Sequence, residues 1–113
     1  MKFIQFICFA AVLALSNVAT AVVTEVPYIN RPAISGNLDL AKLRGKVVYL
    51  DFWASWCKPC KKSFPWMSEI KKKYVDQGLE VVAVNLDTDR KLADLFLSQF
   101  DINFIVAFDS EGS

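Results

Sequence analysis

The chain has 113 residues, 13 lysines and arginines against 12 acids, no histidine, and 54% hydrophobic residues. That length leaves room for one domain at most, and the near-balanced charge gives no electrostatic case for a nucleic-acid partner. Without histidine or a second Cys-X-X-Cys, the sequence offers neither the ligands of a zinc knuckle nor a base for cysteine-nucleophile hydrolysis.

Met1-Lys2 and the apolar run from Phe3 to Leu15 have the form of a signal peptide. Ala19-Thr20-Ala21 offers a small-X-small cleavage site, so residues 1–21 form the leader and 22–113 the domain. An uncleaved membrane anchor is the competing reading. Phe3–Val23 barely spans a bilayer, and Gln5, Ser16, Asn17 and Thr20 weaken it; a membrane is expected as a partner only in that case. Cleavage removes Cys8, leaving two of the 3 cysteines, and removes Lys2, which balances the 12 acids. The expected location is extracytoplasmic, periplasmic or secreted, where thiols meet an oxidising setting.

Along the rest of the chain the periodicities alternate. Lys46–Trp53 is a continuous apolar run, expected to be a strand buried on both faces. From Cys60 to about Gln77, Phe64, Met67, Ile70, Tyr74 and Val75 recur near helical spacing, with Gly78 as the stop. Glu80–Leu86 is a second strand. Asp87-Thr88-Asp89 supplies N-cap chemistry for a helix from Arg90 to Phe100, with Leu92, Leu95, Phe96 and Phe100 on one face. Ile102–Phe108 is a short strand or an extended loop. The order is βαβα, an α/β class with a parallel sheet and right-handed crossovers.

Between the first strand and first helix stands Asp51-Phe52-Trp53-Ala54-Ser55-Trp56-Cys57-Lys58-Pro59-Cys60. The two cysteines form a dithiol that can close into a disulfide and reopen. Cys57 falls at a helix N-terminus, where free N–H groups and the macrodipole favour an anion, and Lys58 adds a cation, so the Cys57 thiol is expected below its ordinary pKa. Pro59 suits the first turn because no intrahelical partner awaits its missing N–H. Cys60, one turn in, is expected to be more buried. Cys57 then attacks a substrate disulfide and Cys60 resolves the mixed disulfide. A purely structural bridge would close too short a loop to add much stability.

The stretch Gly45–Lys62 followed by Phe64-Pro65 resembles the thioredoxin superfamily, closest to its extracytoplasmic TlpA/ResA-like thiol–disulfide oxidoreductases. Ile34–Leu40 is similar to the short hairpin before that core, and Leu79–Asp87 and Phe104–Gly112 fall where the family places its next strand and an Asp-X-X-Gly turn. The resemblance implies a thioredoxin-like fold and exchange of disulfides with protein substrates. It implies no bound cofactor beyond the Cys57–Cys60 disulfide, and a redox partner for recycling. It places Asp51 as the buried acid that handles the resolving thiol's proton, although a strand-end acid paired with a lysine is the plainer reading. Trp56, Lys58 and Pro59 would meet the substrate, and Pro65 matches the helix-kinking proline.

Departures from the pattern are Ser63 where the branch often has Glu and Ile105 where proline is common. The family domain also continues past the Asp109–Gly112 turn into a cis-proline loop, two strands and a helix. None of Pro27, Pro32, Pro59 and Pro65 can supply that proline. The expectation is a C-terminally incomplete domain, either an exported oxidoreductase or a non-enzymatic remnant acting by binding. Lys71-Lys72-Lys73 reads as a solvated helix face or a docking patch.

Overall fold

The computed structural model describes residues 30–34 and 36–111; the leader, its cleavage site and Gly112 lie outside them. A short antiparallel hairpin comes first, β1 (Asn30–Pro32) and β2 (Asn37–Asp39), followed by a 3-10 turn at Leu40–Leu43. Then come β3 (Val47–Trp53), α1 (Cys60–Tyr74), β4 (Leu79–Asn85), α2 (Arg90–Leu97) and β5 (Ile105–Phe108). The last three strands form one parallel sheet in the order β3-β4-β5. Ile102–Phe108 therefore resolves into a strand at its end.

One face of the sheet carries both helices. Trp53, Phe64, Met67, Val81, Ala83, Ala93, Phe96 and Val106 are buried together there. The ring of Trp53 lies 5.0 Å from Phe64 and 4.9 Å from Phe96, and Phe64 lies 5.1 Å from Phe96. Such aromatic clusters combine large apolar burial with favourable edge contacts. The other face is covered by the hairpin, with Leu38 packed among Val82, Val84 and Ala107. The hairpin also ties to the outer edge of β5 through an Ala33–Ala107 bridge and the Ile34 N–H donating to Val106.

Three expectations need correction. First, β3 is not buried on both faces: among the described residues it is an edge strand, and Val47, Tyr49 and Phe52 are exposed, with Tyr49 edge-on to the exposed Trp66. An uncovered apolar edge is a ready template for strand addition. Second, α1 gives way to a 3-10 turn at Val75–Gln77 that closes on Gly78 at φ +87, and Tyr74 and Val75 face outward. Third, α2 ends at Leu97 rather than at Phe100, and it buries Ala93 and Phe96, with Leu97 and Phe100 packed alongside, while Leu92 and Leu95 are exposed. Among the described residues no helix is long and apolar enough to cross a membrane.

Candidate active site

The site grows from the carboxyl ends of two neighbouring parallel strands. Trp53 pairs in register with Asn85, and the Leu86 N–H donates to the Trp53 carbonyl just beyond. The chain leaves β3 through a tight turn closed by the Cys57 N–H on the Ala54 carbonyl at 3.0 Å. Ala54 is buried at the base of that turn, while Trp56 at its corner is 77% exposed.

Cys57 and Cys60 are joined as a disulfide, with Cα atoms 5.4 Å apart. Cys60 is the first residue of α1 and is buried; Cys57 lies one turn before it, partly exposed, against the aromatic core. Pro59 caps α1 with helical backbone angles and spares a donor, and the Lys61 and Lys62 N–H groups bond back to Lys58 and Pro59. Lys58 and Pro59 are exposed. Ser63, at the position where glutamate is common in the resembling branch, donates its hydroxyl to the Cys60 carbonyl at 3.0 Å.

Asp51 lies on β3 opposite Ala83, two residues before Trp53 and hence on the same helix-covered face. It is half-buried, and desolvation raises its pKa against the lowering effect of a backbone bond at Phe52. Among the described residues no lysine or arginine pairs with it.

The sequence reading missed a buried polar clamp. Both oxygens of Asp87 are engaged: the Ser55 N–H donates to Oδ2 at 2.8 Å, the Ser55 hydroxyl to Oδ1 at 2.7 Å, and the Asn85 amide to Oδ2 at 2.7 Å. The Asn85 side chain in turn accepts from the Asp87 N–H at 3.0 Å. Despite the opposing effect of burial, these donors hold the Asp87 carboxyl below its ordinary pKa. Asp87 thus anchors the cysteine turn to β4, while the cap of α2 is Asp89, which accepts from the Lys91 N–H. The register contained the signal: polar residues just past two paired parallel strand ends must meet. Lys71 is likewise no surface lysine, since it pairs with the buried Glu80 at 2.7 Å; Lys72 and Lys73 are exposed.

The profile of the Redoxin family matches residues 23–113. The thiol-disulfide oxidoreductase ResA of Oceanobacillus iheyensis is 36% identical over 88 residues, which cover 78% of this chain and 46% of that protein. ResA of Bacillus cereus is 42% identical over 72 residues, 64% of this chain and 42% of its own length. The chain thus spans less than half the length of these relatives. Among solved structures, a Chlorobium tepidum protein named for the DsbE thiol:disulfide interchange proteins superposes with a TM-score of 0.75 at 49% identity, covering 77% of this chain and 62% of that one. A secreted Mycobacterium tuberculosis disulfide oxidoreductase gives 0.66 at 27% identity, covering 75% and 63%. With a parallel sheet under two helices and a Cys-X-Pro-Cys disulfide at the first of them, the chain belongs to the redoxin family, as a TlpA/ResA-like member of the thioredoxin superfamily.

Proposed function

We propose that this chain is an exported thiol–disulfide oxidoreductase acting on protein substrates through the Cys57–Cys60 pair. The observation that carries the reading is the asymmetry of that disulfide, with Cys57 partly exposed beside an outward Trp56 and Cys60 buried at the start of α1. The names of the relatives support the same chemistry, and the signal-like N-terminus, with the secreted mycobacterial neighbour, supports an extracytoplasmic location.

In the reducing direction, the Cys57 thiolate attacks one sulfur of a substrate disulfide, and the other substrate sulfur leaves as a thiolate. The Cys60 thiol then gives up its proton and attacks Cys57, breaking the mixed disulfide and releasing the second substrate thiolate. Two electrons pass to the substrate, and the protein is left as the disulfide. A separate dithiol must then recycle it, and no bound cofactor is required. Trp56, Lys58 and Pro59 form the surface the substrate meets. Lys58 favours the Cys57 thiolate and so the reduced state, which implies a potential more oxidising than a Gly-Pro pair would give.

The test is a glutathione redox titration read by tryptophan fluorescence. One cooperative two-electron transition, lost on chemical unfolding, is the expected result; a featureless response like that of a free dithiol peptide would favour a binding remnant, to which the uncovered β3 edge would then point.

Asp51 is assigned the proton of the resolving thiol. Burial raises the pKa of this half-buried carboxyl, the direction acid–base work requires. Asp51→Asn is expected to slow release from the mixed disulfide by roughly a hundredfold, the lower end of what a positioned acid–base group contributes. The sign for stability runs the other way. Because burial disfavours the charged form, its penalty grows as pH rises through the raised pKa, so the asparagine variant should unfold at slightly higher urea at neutral pH. An unchanged release rate would remove Asp51 from the mechanism.

A further inference from the structure

We propose that the site is built for client disulfides flanked by acidic residues, with Lys58, Lys61 and Lys62 reading that charge. The inference rests on the exchange activity proposed above and adds the class of client.

All three lysines are exposed. The Lys61 N–H bonds to the Lys58 carbonyl and the Lys62 N–H to the Pro59 carbonyl, so the helical turn already begins at Lys58. Residues 58, 61 and 62 then stand at i, i+3 and i+4, the spacing that brings side chains onto one strip of a helix. That strip starts between the two cysteines and two residues after exposed Trp56.

Among the described residues no ion pair neutralises it. The ion pairs among the described residues use Arg31, Lys46, Lys71 and Arg90, never these three lysines. From Phe52 to Ser68 the sequence has no acid. On the neighbouring elements, Asp87 is buried on Ser55 and Asn85, Asp89 caps α2, and Asp51 is half-buried on the sheet.

As a folding device the strip is unfavourable. Like charges at these spacings repel, and cations at a helix N-terminus oppose the macrodipole, where acids are the stabilising choice. The first turn of α1 contains no acid at all. A locally unfavourable choice held at a reactive centre points to function. Lys58 alone, adjacent to Cys57, suffices to favour a thiolate. Lys61 and Lys62 extend the positive field along the helix, where it meets the residues flanking a client cysteine. Complementary charge of this kind mainly speeds encounter and selects partners.

The test uses the pre-reduced full chain and three peptide disulfides of equal length, with Asp/Glu, Gln, or Lys/Arg flanking each cysteine. In each reaction the peptide disulfide gains two electrons and two protons to become two thiols, while Cys57 and Cys60 close their disulfide. Second-order rates are read by stopped-flow tryptophan fluorescence. The acidic peptide is expected to react about tenfold faster than the basic one at low salt, with the ratio falling to within about twofold near 1 M salt. Lys61→Gln/Lys62→Gln should lower the low-salt ratio severalfold, whereas Lys72→Gln/Lys73→Gln, removing equal charge at the far end of α1, should preserve it. A wild-type ratio near one, with the neutral peptide still reduced, overturns the client preference and leaves the exchange reading intact. Equal loss in both double variants overturns the assignment to this strip. Failure to reduce even the neutral peptide overturns the exchange reading and this inference with it.

Discussion

Cys57→Ser is expected to reduce disulfide exchange to the uncatalysed background, whereas Cys60→Ser is expected to complete the first step and stop. The difference follows from burial. Cys57 is the partly exposed cysteine, next to outward Trp56, and Cys60 is 6% exposed. A serine hydroxyl at neutral pH is a far poorer nucleophile than a thiolate, so nothing replaces Cys57. With Cys60 gone, the Cys57–substrate bond has no neighbouring thiol to break it and persists as a mixed disulfide. Mass spectrometry of each variant after mixing with a peptide disulfide would reveal the adduct. An adduct on Cys57→Ser rather than on Cys60→Ser would exchange the two roles.

Much of this site was legible because the chemistry is local. The order strand, turn, dithiol, helix occupies the continuous run from Asp51 to Cys60, and α1 begins where the motif requires. The misreadings concern relations that periodicity alone does not contain. A continuous apolar strand is compatible with the centre or the edge of a sheet; β3 lies at the edge because both crossovers carry the chain the same way, from β3 to β4 to β5. After Asp89, Leu92, Leu95, Phe96 and Phe100 satisfy helical spacing as well as Ala93, Phe96, Leu97 and Phe100 do. The second set wins because small Ala93 lets the helix approach the sheet while Phe96 fills the space beside Trp53 and Phe64. Lys71 and Glu80 lie nine residues apart and meet only when α1 lies across the start of β4.

The clamp at Asp87 is the other relation that only the sheet reveals, and its removal is expected to have the larger effect on stability. Asp87→Ala leaves the half-buried Ser55 N–H and hydroxyl and the buried Asn85 amide without their acceptor. Bonds to a charged acceptor and the desolvation of abandoned donors together suggest a loss of about 3 kcal/mol, read from urea unfolding. The loss should reach the chemistry too, because Ser55 sits inside the turn in which Cys57 bonds to Ala54, so slower exchange is expected alongside the lower midpoint. The pH dependence separates charge from shape. The folded-state pKa of Asp87 is lowered, so its contribution is fully present above the unfolded value of about 3.9 and fades as pH falls through the lower folded value. In that window the unfolded chain binds more protons, and stability must rise with pH. Asp51, with its pKa raised, contributes the opposite slope. The informative quantity is therefore the difference between wild type and Asp87→Asn, which keeps the size of the side chain and removes its titration. That difference should shrink steadily as pH is lowered from about 5 towards 2. A constant difference would mean that the amide's altered hydrogen bonding, rather than the carboxylate's charge, accounts for the loss, and that the cysteine turn is held by geometry alone.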